Sequence, residues 1–290
     1  MSSTFGQDLT YFFDEWVMNG GNPTYQYAHQ NVTINGQPYL RFYLKQTQTP
    51  LFKMPVKARV NYTGGNQTVT FNNEALATQW FVVPITAPAT SIVFDENDWI
   101  LDSSSAAVAY VAGPPKVVQA TPALGAQIAP LSAPSTITVT FSDNVTTSAS
   151  DYIVTQNGVP QAFTFSYNSG NFTATLDNGV PFGPGAYAVT VKDTVKSAVG
   201  AIALDGEIAN AASPASLPSG NGVASGQAVY TFDIDYCPSD FDLNGFVNGD
   251  DFDGFMLAFF FGDIAADFDG NTFVNGDDFD FFMEAFFVGC

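Results

Sequence analysis

The sequence predicts a mainly β protein, with two β-sandwich domains followed by a small α-helical domain of EF-hand type. Three observations predict it. Short runs that alternate apolar and polar residues recur about every ten positions as far as residue 236, separated by Gly, Pro and Asn turns. The stretch VAGPPKVV interrupts that series near residue 114. From residue 237 the spacing changes to threes and fours, and the same words are written twice. The expected domains are therefore 1–113, 114–236 and 237–290.

The first region opens with FGQDLTYFFDEWVMNGG. Leu9, Phe12, Phe13, Trp16 and Val17 fall at i, i+3, i+4, i+7 and i+8, one apolar face of a helix that Asn19-Gly20-Gly21 would stop. Strand-like runs follow: TYQYAHQNVTI, YLRFYLKQTQ, FKMPVKARVNY, QTVTFNN, ATQWFVVPI and SIVFDENDWIL. Asn35-Gly36 and Gly64-Gly65-Asn66 are turn signals between them. In the second region STITVTFS, DYIVTQ, AFTFSYN, NFTATLD, AYAVTVKD and AVYTFDID repeat the alternation, which is the spacing of an immunoglobulin-like sandwich. No inter-sheet cysteine pair is present there. Residues 205–227, rich in Ala, Ser, Gly and Pro, are expected to be a long loop before the last strand.

The third region holds the repeat. DFDLNGFVNGDDFDGFMLAFFFG begins at Asp240 and DFDGNTFVNGDDFDFFMEAFFVG at Asp267, and 18 of 23 aligned positions are identical. Counting from the first Asp of each copy, oxygen-bearing side chains stand at positions 1, 3, 5, 9 and 12. They are Asp240, Asp242, Asn244, Asn248 and Asp251, then Asp267, Asp269, Asn271, Asn275 and Asp278. This is the spacing of an EF-hand loop. A hard cation takes about six to eight oxygens, and a twelve-residue loop can wrap one ion with alternate side chains. Position 7 contributes a backbone carbonyl, so Phe246 and Phe273 can stand there. Ca²⁺ at two sites is the expected cofactor. Position 12 is Asp where Glu is usual. Position 6 is Gly245 in the first loop but Thr272 in the second, where a positive φ is costly. The second site is therefore expected to be weaker, or its turn reshaped around Gly270. A helix should follow each loop. Phe252, Phe255, Met256, Phe259 and Phe260 share one face, and Phe279, Phe282, Met283, Phe286 and Phe287 repeat it. Phe261 and Phe281 are the exposed candidates for contact with a partner.

Charge narrows the function further. The chain carries 28 acidic and 8 basic residues, a net charge of −20, which disfavours nucleic acid and anionic membranes and attracts cations. All eight bases lie at or before Lys196, while residues 237–290 hold 12 acids and no Lys or Arg. Bound divalent cations would relieve that crowding. No stretch approaches 18 consecutive apolar residues, so no membrane span is expected. The first ten residues do not read as a signal peptide. Two cysteines, Cys237 and Cys290, bracket the repeat. Bridged, they would close the region end to end and add about 4 kcal/mol in the chain-entropy model. They would also place the chain in an oxidising, extracellular or cell-surface compartment. Two free thiols are the alternative.

Residues 237–290 resemble a dockerin module, a duplicated calcium loop–helix unit. That resemblance implies anchoring of an exported protein through a cohesin-like or other cell-surface partner. Loop positions 10 and 11 in that family often carry Ser or Thr, and here they are Gly249-Asp250 and Gly276-Asp277. The departure places a conventional cohesin partner in question. GQDLTYFFDEWVMNGGNPTYQY, FKMPVKARV and SIVFDENDWIL are similar to the end of aminopeptidase-N-like zinc metallopeptidases. That chemistry needs H-E-x-x-H and a further Glu. The chain has one histidine, His29, which reads as an edge or surface strand position, and no catalytic residue is assigned. The resemblance implies the non-catalytic C-terminal part of such a protein. TPALGAQIAP, ITVTFSDNV and YAVTVKDTVKSAVGAIALDGE resemble bacterial surface Ig-like domains, which serve as spacers. Two alternative readings remain: the truncated end of a complete zinc aminopeptidase, or a scaffold adaptor of a polysaccharide-degrading assembly.

Overall fold

A computed structural model describes residues 10–18, 20–129, 132–235, 237–244 and 246–288. The chain is mainly β, with two helices near the C-terminus. A helical turn, Thr10–Phe13, runs into a π-type segment, Asp14–Met18. Trp16 packs on Phe52 with ring centroids 4.9 Å apart, whereas Phe12 and Val17 are exposed. Leu9 and Asn19, part of the expected helix and its stop, lie outside the described residues.

Seven strands follow: β1 (Thr24–Ile34), β2 (Gln37–Gln46), β3 (Met54–Tyr62), β4 (Gly65–Asn73), β5 (Thr78–Pro84), β6 (Ala89–Phe94) and β7 (Ser104–Ala107). They form two sheets, ordered β5-β2-β1-β7 and β4-β3-β6. Asn35 and Gly36 both take positive φ, 48° and 81°, so this turn matches the right-handed twist of β1 and β2 and fixes Ile34 opposite Gln37. Alternation then decides the faces. Leu40, Phe42 and Leu44 from one sheet meet Val56, Ala58, Val60 and Phe71 from the other. Phe42 and Phe71 stack with centroids 4.1 Å apart. The run SIVFDENDWIL does not continue as a strand. It stops at Phe94, because the Asp95 carboxylate accepts the amides of Trp99 and Ile100 at 3.2 and 2.8 Å and turns the chain. His29 sits half-buried in β1 opposite Phe42, and burial lowers its pKa.

The next sheets contain β8 (Val117–Thr121), β9 (Gln127–Ile128), β10 (Thr136–Phe141), β11 (Val145–Thr146), β12 (Tyr152–Gln156) and β13 (Val159–Pro160). They are completed by β14 (Thr164–Asn168), β15 (Thr173–Asp177), β16 (Gly185–Val191), β17 (Lys196–Ser197) and β18 (Ala228–Ile234). One sheet runs β14-β15-β10-β8 and the facing one β13-β12-β16-β18-β9, with β11 and β17 pairing at one side. Ile137, Val139 and Leu176 pack against Val154, Val189 and Phe232 in a common core. This is a β-sandwich of Ig-like character.

Two helices close the chain, α1 (Gly249–Phe261) and α2 (Gly276–Val288). Phe255 and Phe282, equivalent positions of the two copies, stack in parallel at 3.9 Å and are fully buried. Phe252, Met256, Phe259, Phe279, Met283 and Phe286 surround them. Phe260 and Phe287 do not join that face as the periodicity predicted. They are 82% and 79% exposed, because the narrow seam between two short helices reaches only one stripe.

Phe42→Ala should lower the unfolding free energy by about 3–5 kcal/mol, because it empties a fully buried site and removes the stack on Phe71. Urea denaturation followed by tryptophan fluorescence checks this.

Candidate metal centre

The repeat places its acidic residues where their sequence spacing predicts. Carboxylate oxygens of Asp240, Asp242 and Asp251 lie within 4.8 Å of one another, and those of Asp267, Asp269 and Asp278 do the same. Asp251 and Asp278 are fully buried, Asp240 is buried, and Asp242 and Asp269 face solvent.

Position 12 performs two tasks at once. The Asp251 carboxylate accepts the amide of Asp242 at 3.1 Å and that of Asn248 at 2.8 Å. Asn248 Oδ1 in turn accepts the Asp250 amide at 2.7 Å, which completes a capping box at the start of α1. The second copy repeats it. Asp278 accepts the amides of Phe268, Asp269 and Asn275 at 2.7, 3.1 and 2.7 Å, and Asn275 accepts that of Asp277 at 2.8 Å. The Asn275 amide foremost, with those of Asp269 and Phe268, holds the Asp278 carboxyl below the usual carboxylate range. This cap is therefore complete at neutral pH and is lost as pH falls through the depressed value.

Positions 3 and 5 shape the bend. Asn244 donates from its amide to Asp242 at 3.0 Å and accepts the Phe246 amide at 2.8 Å. Asn271 makes the same bonds to Asp269 and from Phe273, at 2.9 and 2.8 Å. Asp267 also accepts the Thr272 amide at 2.7 Å. Phe246 and Phe273 turn their rings outward, 70% and 73% exposed, as position 7 allows.

The donor set suits a hard cation. Each cluster brings three carboxylates together, while the Asn side chains at positions 5 and 9 accept backbone amides of their own loop. An ionised carboxylate has about four lone-pair sites, so Asp251 and Asp278 keep acceptor capacity beyond their amide bonds. The backbone departs from expectation at one point. Thr272 takes φ 74° itself, alongside Gly270 at 72°, but Leu243 takes φ 58° at position 4 of the first loop. Each loop thus carries one non-glycine residue in the left-handed region, and backbone strain does not single out the second loop. Phe241 and Phe268 at position 2 set their rings edge-on to Phe255, at 5.8 and 5.5 Å. Their identity in both copies was the available signal for that role. Cys237 is buried beside Ser239 Oγ, with Sγ 3.5 Å away. Cys290 lies outside the described residues.

Residues 111–211 match the family model of a bacterial Ig-like domain. No curated protein matches the chain. Among solved structures, PcoC, a methionine-rich copper resistance protein from Escherichia coli, aligns at 17% identity and a TM-score of 0.28, covering 42% of this chain and 99% of that one. The I9–I11 tandem of titin aligns at 12% identity and a TM-score of 0.19, covering 73% and 66%. Similarity at that level carries no argument about function.

Thr272→Gly should stabilise the second loop by about 1 kcal/mol, because glycine tolerates its positive φ, and Leu243→Gly should do the same for the first. Thermal unfolding of the full chain, followed by helical circular dichroism, checks both.

Proposed function

We propose that residues 237–290 are a dockerin-like anchoring module that folds around two Ca²⁺ ions and binds a cell-surface protein. In this reading the bacterial Ig-like domain is a spacer, and residues 1–113 are a non-catalytic β domain of aminopeptidase-like descent. The observation that carries the module's role is the duplicated cluster. Three carboxylates converge within 4.8 Å in each copy, and the register repeats position for position. The aminopeptidase likeness rests on sequence pattern alone.

The chain's own residues account for the coupling of ion to fold. The buried position 12 aspartates cap α1 and α2 and lie among loop carboxylates that repel one another. Ca²⁺ would supply the opposite charge, so ion binding and helix docking become one equilibrium. With the helices docked, Phe260, Phe261, Phe281 and Phe287 remain exposed on the module. Exposed aromatic surface of this kind fits contact with another protein. Among the described residues no helix is long and apolar enough to cross a membrane. The match to a bacterial Ig-like domain, a type common on bacterial surfaces, supports a cell-surface location. Pairing of Cys237 with Cys290 would suit the same compartment.

Chelation tests the proposal. Helical circular dichroism of the full chain should fall in EDTA and return with Ca²⁺. Asp251→Ala should remove the part of the return due to the first loop, and Asp278→Ala that due to the second. Helicity indifferent to chelator would remove the calcium role.

A further inference from the structure

Residues 205–227, expected from composition to be a loop, lie against both sandwiches. Asp205 is fully buried and acts as the hub. Lys116, next to β8, forms an ion pair with its carboxylate. The same carboxylate accepts the amides of Asn221 and Gly222 at 2.8 and 2.9 Å. Ser219 Oγ donates to the Asp205 carbonyl at 2.8 Å and accepts the Val117 amide at 2.9 Å. Together these bonds hold residues 219–222 as a tight turn. Gly220 stands at φ +91°, and a Cβ there would overlap the Asp205 carboxylate and Lys116 Nζ, so the turn needs glycine.

The other side of the turn reaches the first sandwich. The Gly222 carbonyl accepts the Trp80 amide at 3.0 Å, and the Asn221 carbonyl accepts Gln79 Nε2 at 3.1 Å. Gln79 is itself fully buried, and its Oε1 accepts the Glu74 amide at 2.7 Å. β5 is an edge strand of its sheet, so the turn covers part of an edge that no strand covers among the described residues. The connection between the sandwiches is fastened to the same place. Trp80 Nε1 donates to the Val111 carbonyl at 3.0 Å, and Gly113 packs so closely on the indole that a Cβ would overlap it. Further contacts cross the junction, Asn35 Nδ2 donating to Gln119 Oε1 at 3.0 Å among them. Ile34, Tyr39 and Val82 share an apolar cluster with Val118. Arg41 in β2 donates to the Ser142 carbonyl, while Ser142 Oγ accepts the Lys116 amide at 2.9 Å.

We propose that residues 205–227 are a strap that makes the two sandwiches one cooperative, non-bending unit. The strap gives the spacer a fixed geometry relative to the domain before it. Neither sandwich opens without disturbing the other, because the Asp205 turn is built inside one and bonded to the strand edge of the other. This coupling is independent of the ion loops.

Hydrogen exchange on the full chain, read by mass spectrometry, tests the strap. Gln79→Ala, in the first sandwich, should speed exchange by about tenfold in β16 and β18 of the second. Asp205→Asn, in the second, should speed exchange in β1 and β2 of the first by a similar factor. Should Asp205→Asn not fold, Gln79→Ala carries the test by itself, since it removes one side chain's bonds from a well-packed sheet. Faster exchange confined to the substituted sandwich would overturn the proposal.

Discussion

The C-terminal region is governed by the crowding of carboxylates. Residues 237–290 hold 12 acids and no Lys or Arg, and six of the acids converge in two clusters. Two like charges about 4 Å apart repel by about 1 kcal/mol in water and about 4 kcal/mol at the effective dielectric of a protein surface. The chain sets backbone amides against this repulsion. Amides of Asp242 and Asn248 point at Asp251, and those of Phe268, Asp269 and Asn275 at Asp278. The same bonds start both helices, so loop geometry, helix start and the Phe255–Phe282 stack stand or fall together.

The β part of the molecule meets a different demand. Its apolar residues alternate and fill the cores, with Phe42 on Phe71 across facing sheets in one and Tyr187 on its cross-strand partner Phe232 in the other. Here the buried charges are few and satisfied: Asp95 and Asp151 accept backbone amides or hydroxyls, and Lys116 pairs with Asp205. The Lys116 ammonium is pulled below the usual lysine range by burial and held up by Asp205 beside it. A pair of this kind adds little net stability over an apolar pair, but removing one member leaves the other unsatisfied, which fixes the arrangement.

How much was legible in the sequence depended on the range of the interaction. β1 follows its alternating run from Thr24 to Ile34, and the Asn35-Gly36 turn falls where the dipeptide places it, because hairpin chemistry is local. The convergence of the loop carboxylates was legible for the same reason, since the loop fixes its own spacing. β7 was not, because SSAA has no strand signature and is held by parallel pairing with β1, far away in sequence. The role of residues 205–227 was also hidden. Their composition is that of a loop, and only Asp205, Lys116 and Gln79, brought together by the fold, make them a strap. The positive φ of Leu243 was not legible, because leucine carries no turn signal where its equivalent in the second copy is Gly270.

The most direct measurement is native mass spectrometry of the intact chain in millimolar Ca²⁺, which counts bound ions without reference to helicity or partner. Two ions per chain, reduced to one by Asp251→Ala or by Asp278→Ala, is the predicted result. A chain of unchanged mass at that concentration, with no step assignable to either loop, would contradict the account.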